Sequence, residues 1–205
     1  MLIRRLVLGE LQTNCYIVWS EDGHGIVIDP ADDAEGICRF IAKESITITA
    51  VVLTHAHFDH MLAAGEVCSR LNVPLYVGQS DADALADSQK NLSRWFSPEM
   101  NLTLTADGYL SEGETVFVGD SALRVMETPG HTPGCICLYG DGVLFSGDTL
   151  FCGSIGRLDF PGGNAQQMTN SLNRLLQLPE STVVYSGHGP ETTIGCEMAT
   201  NPFLK

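Results

Sequence analysis

Positive charge is scarce in this chain: lysine and arginine together number 11, against 25 aspartates and glutamates, for a formal net charge of −14. That balance excludes a nucleic-acid partner, because binding a phosphate backbone depends on basic side chains that displace counterions. No apolar run approaches the ~20 residues that cross a bilayer, so no membrane partner is expected. The opening stretch, residues 1–10, carries too short an apolar segment for a secretory leader and meets Glu10 at once; it reads as a first strand. The seven cysteines are odd in number and form no Cys-x-x-Cys pair, which argues for free thiols in a cytoplasmic setting and against a disulfide framework. Cys135 and Cys137 read as small core residues on one strand. Repeats and linkers are also missing, and 205 residues suit one domain over 1–205.

What remains is an ordinary globular composition, 44% hydrophobic and 18% charged. Apolar periodicity predicts strands over 2–8, 15–18, 25–28, 50–53, 74–77, 115–118, 123–127, 135–139, 143–146 and 182–185. The run at 50–53 is wholly apolar, as in strands covered on both faces. Asp32 can cap a helix carrying the stripe Ile37, Phe40 and Ile41. Further helices are expected over 61–71, with Leu62, Val67 and Leu71 facing inward, and over 165–176. Residues 79–108 predict a helix and a loop, packed on the core or walling the active site; core packing is favoured for Trp95 and Phe96. Strand–helix alternation with hairpins in both halves gives an α/β class with a sheet-on-sheet core and helices outside.

The most informative run is Thr54-His55-Ala56-His57-Phe58-Asp59-His60, which sets three of the chain's six histidines beside a carboxylate. Clustered imidazoles repel one another when protonated and resist burial, so such a group implies a bound cation. Three more apolar runs end in a candidate ligand: Gly130 precedes His131, Gly147 precedes Asp148 and Gly187 precedes His188. Strand ends that deliver polar residues to one edge are how an α/β core presents a site. The glycines allow sharp turns and close backbone approach there.

With these residues together, the chain resembles the metallo-β-lactamase fold superfamily, and within it the glyoxalase II-like hydrolases. Asn14-Cys15-Tyr16, Ile28-Asp29-Pro30, Thr128-Pro129-Gly130-His131, Gly147-Asp148-Thr149 and Ser186-Gly187-His188-Gly189-Pro190 also carry the match. The resemblance implies a four-layer αβ/βα sandwich with two divalent metal ions at one edge. It implies that His55, His57 and His131 hold the first ion, that Asp59, His60 and His188 hold the second, and that Asp148 bridges them. Zinc is the expected metal, with iron or manganese suited to the same nitrogen and oxygen donors. Asp59 and Asp148 would be the catalytic carboxylates, and the reaction would be hydrolysis of a small-molecule thioester such as S-lactoylglutathione by a metal-bound hydroxide. Two divalent ions against two carboxylates and a hydroxide leave a charge of about +1 to attract an anionic group.

Several residues have two readings. Asp29 either hydrogen-bonds the site or simply closes a turn before Pro30. Arg157 either binds a substrate carboxylate or pairs with Asp159, the substrate role being preferred. Cys152 is expected to pack in the core or behind the site, and His24 to occupy a hairpin turn. The larger glyoxalase II enzymes bind glutathione through a basic C-terminal helical region, whereas the residues after His188 here offer only Lys205; recognition would fall to loops such as 79–108 and 153–163. The competing functions are a mononuclear iron persulfide dioxygenase, using His55, His131 and Asp148, and a metal-binding protein without turnover.

Overall fold

Strands that are apolar on both faces need cover on both sides, and this chain supplies it by stacking two sheets and laying helices outside each. The computed structural model describes residues 1–204. The first half contributes β1 (Leu2–Leu8), β2 (Thr13–Trp19), β3 (His24–Ile28), α1 (Ala34–Lys43), β4 (Thr47–Leu53), α2 (Phe58–Met61), α3 (Ala64–Leu71), β5 (Leu75–Gly78), α4 (Ala82–Leu85), α5 (Ser93–Phe96) and β6 (Gly108–Leu110). The second half contributes β7 (Thr115–Val118), β8 (Ser121–Glu127), β9 (Ile136–Gly140), β10 (Val143–Gly147), β11 (Leu150–Phe151), β12 (Ser154–Ile155), α6 (Ala165–Leu175), β13 (Val183–Ser186), β14 (Thr192–Thr193) and α7 (Ile194–Thr200).

The first sheet runs β1-β2-β3-β4-β5-β6, antiparallel through β3 and parallel beyond it. The second runs β14-β13-β10-β9-β8-β7, with β10 and β13 its parallel pair. β11 and β12 form a separate small ribbon.

The two-residue period of the strands divides the core into three layers. In β2, Cys15 and Ile17 pack with Ile37 and Ile41 of α1 and Val67 of α3, while Tyr16 and Val18 face the second sheet. Leu123, Val125, Ile136, Leu138 and Phe145 answer them from that sheet. Cys137, Leu144 and Val184 point the other way, onto Met168, Leu172 and Leu175 of α6 and Ile194 of α7. The result is the helix–sheet–sheet–helix sandwich that the resemblance implies.

Local expectations needed four corrections. Asp33, not Asp32, caps α1, accepting from the Gly36 amide at 3.0 Å, while Asp32 accepts from the Asp33 amide. The helix expected over 61–71 is broken into α2 and α3, because the Ala63 amide donates to the Pro30 carbonyl at 3.0 Å instead of within the helix. Leu62, at that break, faces solvent with 38% of its surface exposed. Residues 79–107 hold only single helical turns, and α7 was not anticipated: it is short, and Glu197 sits fully buried beside Ile194 where a helical pattern calls for an apolar residue. Glu197 is satisfied there by Thr192, Asn201 and the Gly153 amide at 2.6, 2.7 and 2.9 Å, which ties α7 to the turn between β11 and β12.

Candidate metal centre

Each expected ligand lies just beyond the C-terminal end of a strand, all at one edge of the sandwich. β4 of the first sheet leads to His55 and into α2, which carries Asp59 and His60; β8, β10 and β13 of the second sheet lead to His131, Asp148 and His188. The sandwich therefore brings all seven together, and three groups of donor atoms lie within 4.8 Å of one another: His55, His57 and His131; His55, His60 and Asp148; Asp59, His60 and His188. His57 Nδ1 lies 3.1 Å from His55 Nε2 and 2.9 Å from His131 Nε2. Asp148 sits between the groups. Its Oδ1 faces His60 Nε2 at 3.4 Å, and its Oδ2 lies 3.6 Å from both His131 Nε2 and His188 Nε2. Asp59 Oδ2 is 3.3 Å from His188 Nε2.

The other face of each ring determines which nitrogen points inward. His55 Nδ1 meets Thr54 Oγ1 at 3.2 Å, His60 Nδ1 meets Asp29 Oδ2 at 2.9 Å, His131 Nδ1 meets the Arg157 carbonyl at 2.8 Å and His188 Nδ1 meets the Leu11 carbonyl at 3.2 Å. An oxygen acceptor behind a ring draws the ring proton to that side and leaves the opposite nitrogen with a free lone pair. Four Nε2 atoms and two carboxylates thus converge. His60 Nε2 and Asp148 Oδ1 are buried with no hydrogen-bond partner at all. An imidazole nitrogen and a carboxylate oxygen buried face to face need a proton or a metal ion between them, and with the neutral His55 and His57 beside them these residues fit divalent metal ions.

The electrostatics agree. Burial first, and then the neighbouring imidazoles, push His55 well below the usual imidazole range and His57 down to about 3, so both are neutral at pH 7. Burial also disfavours charge on Asp148, yet the His60 imidazole beside it outweighs that and holds the carboxyl well below its ordinary value. Around His60 burial again opposes charge, but Asp148, Asp59 and Asp29 outweigh it and raise the ring's pKa well above the usual imidazole range, so this ring takes a second proton at Nε2 unless a metal ion bound there displaces it.

Asp29 belongs to the site: it is buried, and besides His60 it accepts from the Thr54 amide and hydroxyl, both at 2.7 Å. Sequence reasoning missed Asp81. Its carboxylate is buried and accepts from the Ala56 amide at 2.9 Å, the Thr132 hydroxyl at 2.8 Å and the Gly134 amide at 2.7 Å. It therefore clamps the loop carrying His55 and His57 to the loop carrying His131. Thr13, which donates to Asp59 at 3.0 Å, was also missed. Asn14 and Tyr16 reach across to the Ser186 carbonyl at 2.8 and 2.7 Å and so lace β2 to the turn that carries His188.

Gly187 packs against the cluster itself, where a Cβ would run into Asp148 Oδ1 and come within 2.7 Å of His60 Cε1. Gly187→Ala is expected to displace Asp148 and lower metal content by about one ion per chain without unfolding the protein. Elemental analysis beside a thermal melt checks this.

A cavity of about 550 Å³ opens in front of the cluster, lined by His57, Asp59, His131, Asp148 and His188 on its floor and by largely apolar side chains around it. Trp95 and Phe96 stand in this wall, 59% and 44% exposed, so the expectation of core packing was wrong for both: α5 is a single turn carried on a loop, too short to turn a face inward. Cys152 is also exposed rather than packed, at the turn between β11 and β12. Cys135 and Cys137 are buried as expected, although Cys135 lies just before β9 and bonds Thr132 instead of sharing a strand face. His24 opens β3, exposed beside Asp22. Arg157 lines the cavity and also forms the competing ion pair, its Nε and Nη2 donating to Asp159 at 2.7 and 2.6 Å.

A two-sheet sandwich with histidines and aspartates gathered at the strand ends defines a class of metal-dependent hydrolases. Residues 8–188 match the model of the metallo-beta-lactamase superfamily, and the chain belongs to that superfamily. It is 38% identical over 205 residues to the probable metallo-hydrolase YqgX of Bacillus subtilis, covering 98% of this chain and 96% of that one. It is 32% identical over 208 residues to the hydroxyacylglutathione hydrolase GloC of Haemophilus influenzae, covering 100% and 98%. Among solved structures it is similar to the BLEG-1 B3 metallo-beta-lactamase, with a TM-score of 0.94 and 39% identity over 99% of both chains. It is also similar to TTHA1623 in a di-iron-bound form, with a TM-score of 0.89 and 36% identity over 98% of this chain and 100% of that one. No helix among the described residues is long and apolar enough to cross a membrane.

Proposed function

We propose that this protein is a dinuclear metal-dependent hydrolase that cleaves thioesters in the manner of glyoxalase II. The observation that carries the reading is the convergence of four imidazole Nε2 atoms, each ring oriented by an oxygen behind it, on the two carboxylates of Asp59 and Asp148. His55, His57 and His131 would hold one ion, Asp59, His60 and His188 the other, and Asp148 both. Zinc suits these donors, and iron or manganese would also be accepted. Bound there, such ions supply hydroxide from water near neutral pH and polarise a carbonyl oxygen.

The chain's own residues do the rest. Thr13 holds the Asp59 carboxylate in place, and Asp81 fixes the two loops that frame the cavity floor. The apolar wall limits water around a bound substrate, which strengthens every charge interaction inside. In the reaction the oxygen of water bonds to the thioester carbonyl carbon and the carbon–sulfur bond breaks. One proton of the water leaves with the thiol and the other with the acid, which ionises at pH 7. The similarity to GloC supports a thioester, and S-lactoylglutathione is the reference substrate.

The similarity to a B3 metallo-beta-lactamase favours a second reading, in which the same floor opens a lactam. The metal-loaded protein should therefore be assayed in parallel on S-lactoylglutathione, on nitrocefin, and on glutathione persulfide in an oxygen electrode. Thioester hydrolysis that stops on chelation and returns with added metal is expected. Faster lactam turnover, or oxygen uptake with no thioester cleavage, would replace this reading with the corresponding alternative.

A further inference from the structure

Beyond the metal-facing floor, the cavity wall is aromatic and aliphatic apart from Arg157. Phe160 packs edge-on against His57, with centroids 5.8 Å apart, and Trp95 packs edge-on against Phe160 at 6.3 Å. Phe96 lies 4.8 Å from Phe58 on the same side. The Trp95 indole is held by a hydrogen bond from its N–H to Gln89 Oε1 at 3.2 Å, so this wall is positioned and not merely uncovered. A smaller hollow of about 140 Å³ shares Leu11, Phe58, Asp59 and Phe96 with the main cavity and extends the apolar surface to Leu62 and Met100. Of the ten large hydrophobic side chains exposed among the described residues, Leu11, Leu62, Trp95 and Phe96 all stand at this mouth. Large apolar groups gathered at the rim of a cleft mark a surface that a ligand covers.

The same wall offers little to a charged tail. Arg157 is the one cationic side chain among the described residues lining the main cavity besides its histidines, and one edge and one face of its guanidinium are engaged. Two of its N–H groups go to the Asp159 carboxylate, and the plane lies 3.9 Å over the Phe160 ring. Arginine and aspartate together contribute no net charge there, and the molecule as a whole carries −14. Among the lining residues, a carboxylate or phosphate held away from the metals would find only this arginine, already paired with Asp159, in a molecule of negative net charge.

Taking the hydrolase reading as given, we propose that the preferred substrate is a thioester with an uncharged, apolar arm, alkyl or aryl, laid along Trp95, Phe96 and Phe160, and that these three side chains set specificity. The charged tripeptide of a glutathione thioester would then be tolerated and not recognised. Apolar surface removed from water favours binding by about fourfold in affinity per methylene when burial is complete. At an open wall, a two- to fourfold rise in kcat/KM per methylene is expected.

The test uses the metal-loaded full chain and two series of thioesters. In one, acyl groups from acetyl to octanoyl, plus phenylacetyl, are carried on N-acetylcysteamine, a small neutral thiol. In the other, lactoyl is fixed and the thiol lengthens from ethyl to octyl. A rise of kcat/KM with chain length in either series, ending at least tenfold above S-lactoylglutathione, is the expected result, and the series that rises names the arm. Trp95→Ala and Phe96→Ala, both at exposed positions, should at least halve the slope of log kcat/KM on chain length while metal content stays at the wild-type value. Flat series, a clear preference for S-lactoylglutathione, or an undiminished slope in both variants would overturn the proposal while hydrolysis itself persists. Absence of turnover on every thioester, at full metal content, would instead remove the hydrolase reading and this proposal with it.

Discussion

Asp148→Ala yields a folded protein that retains at most one metal ion and hydrolyses thioesters at least about a thousandfold more slowly than the parent, in line with losses seen when a principal group stabilising transition-state charge is removed. The expectation follows from where its two oxygens point. Oδ1 faces His60 and Oδ2 faces His131 and His188, so this carboxylate reaches toward both halves of the cluster. Folding is spared because no backbone amide depends on this carboxylate, and its truncation leaves no buried backbone donor without a partner. Elemental analysis, kcat/KM and a thermal melt on the same preparation check the three parts separately. A folded variant with two ions and the parental rate would show that Asp148 does not join the sites.

Asp81→Ala should have the largest effect on stability. Its carboxylate, buried and not among the residues lining the substrate cavity, receives three donors from two loops. Hydrogen bonds to a charged acceptor contribute about 1.5–3 kcal/mol each, and the Ala56 and Gly134 amides would be left unpaired. A loss of about 3–5 kcal/mol, less than the plain sum because neighbouring bonds are not additive, corresponds to a fall in Tm of roughly 10 °C. Metal affinity should drop about 10- to 100-fold, as when other groups supporting metal ligands are removed. Asp81→Asn keeps the shape but must turn its NH2 toward at least one donor, so it should fall between the parent and the alanine variant. A Tm within 2 °C of the parent for Asp81→Ala, with unchanged metal affinity, would mean the two loops hold their positions by packing alone.

The contrast between Asp148 and Asp81 shows which features were legible in the sequence. Asp148 could be found because a ligand at the end of a buried strand sits beside its own local signal, the apolar run and glycine before it. The strands were readable for a related reason: a segment covered on both faces must be apolar throughout, whatever its neighbours. Asp81 has no such signal. It lies in a stretch of single helical turns, and its role exists only because β4 and β8, from different sheets, end side by side. Trp95 and Phe96 misled for the opposite reason, since large aromatic residues usually fill a core, and only the position of α5 at the cavity mouth shows that they do not. The break between α2 and α3 was hidden too, because the Pro30 carbonyl that takes the Ala63 amide comes from far along the chain.

The central claim is that seven side chains cage two cations. Diffraction from crystals of the metal-loaded protein, recorded on both sides of the metal's absorption edge, tests it most directly. Two anomalous peaks about 3.5–4 Å apart are expected, one among His55, His57 and His131 and one among Asp59, His60 and His188, with Asp148 touching both. A single peak, or none, from protein that hydrolyses thioesters at full rate would contradict it.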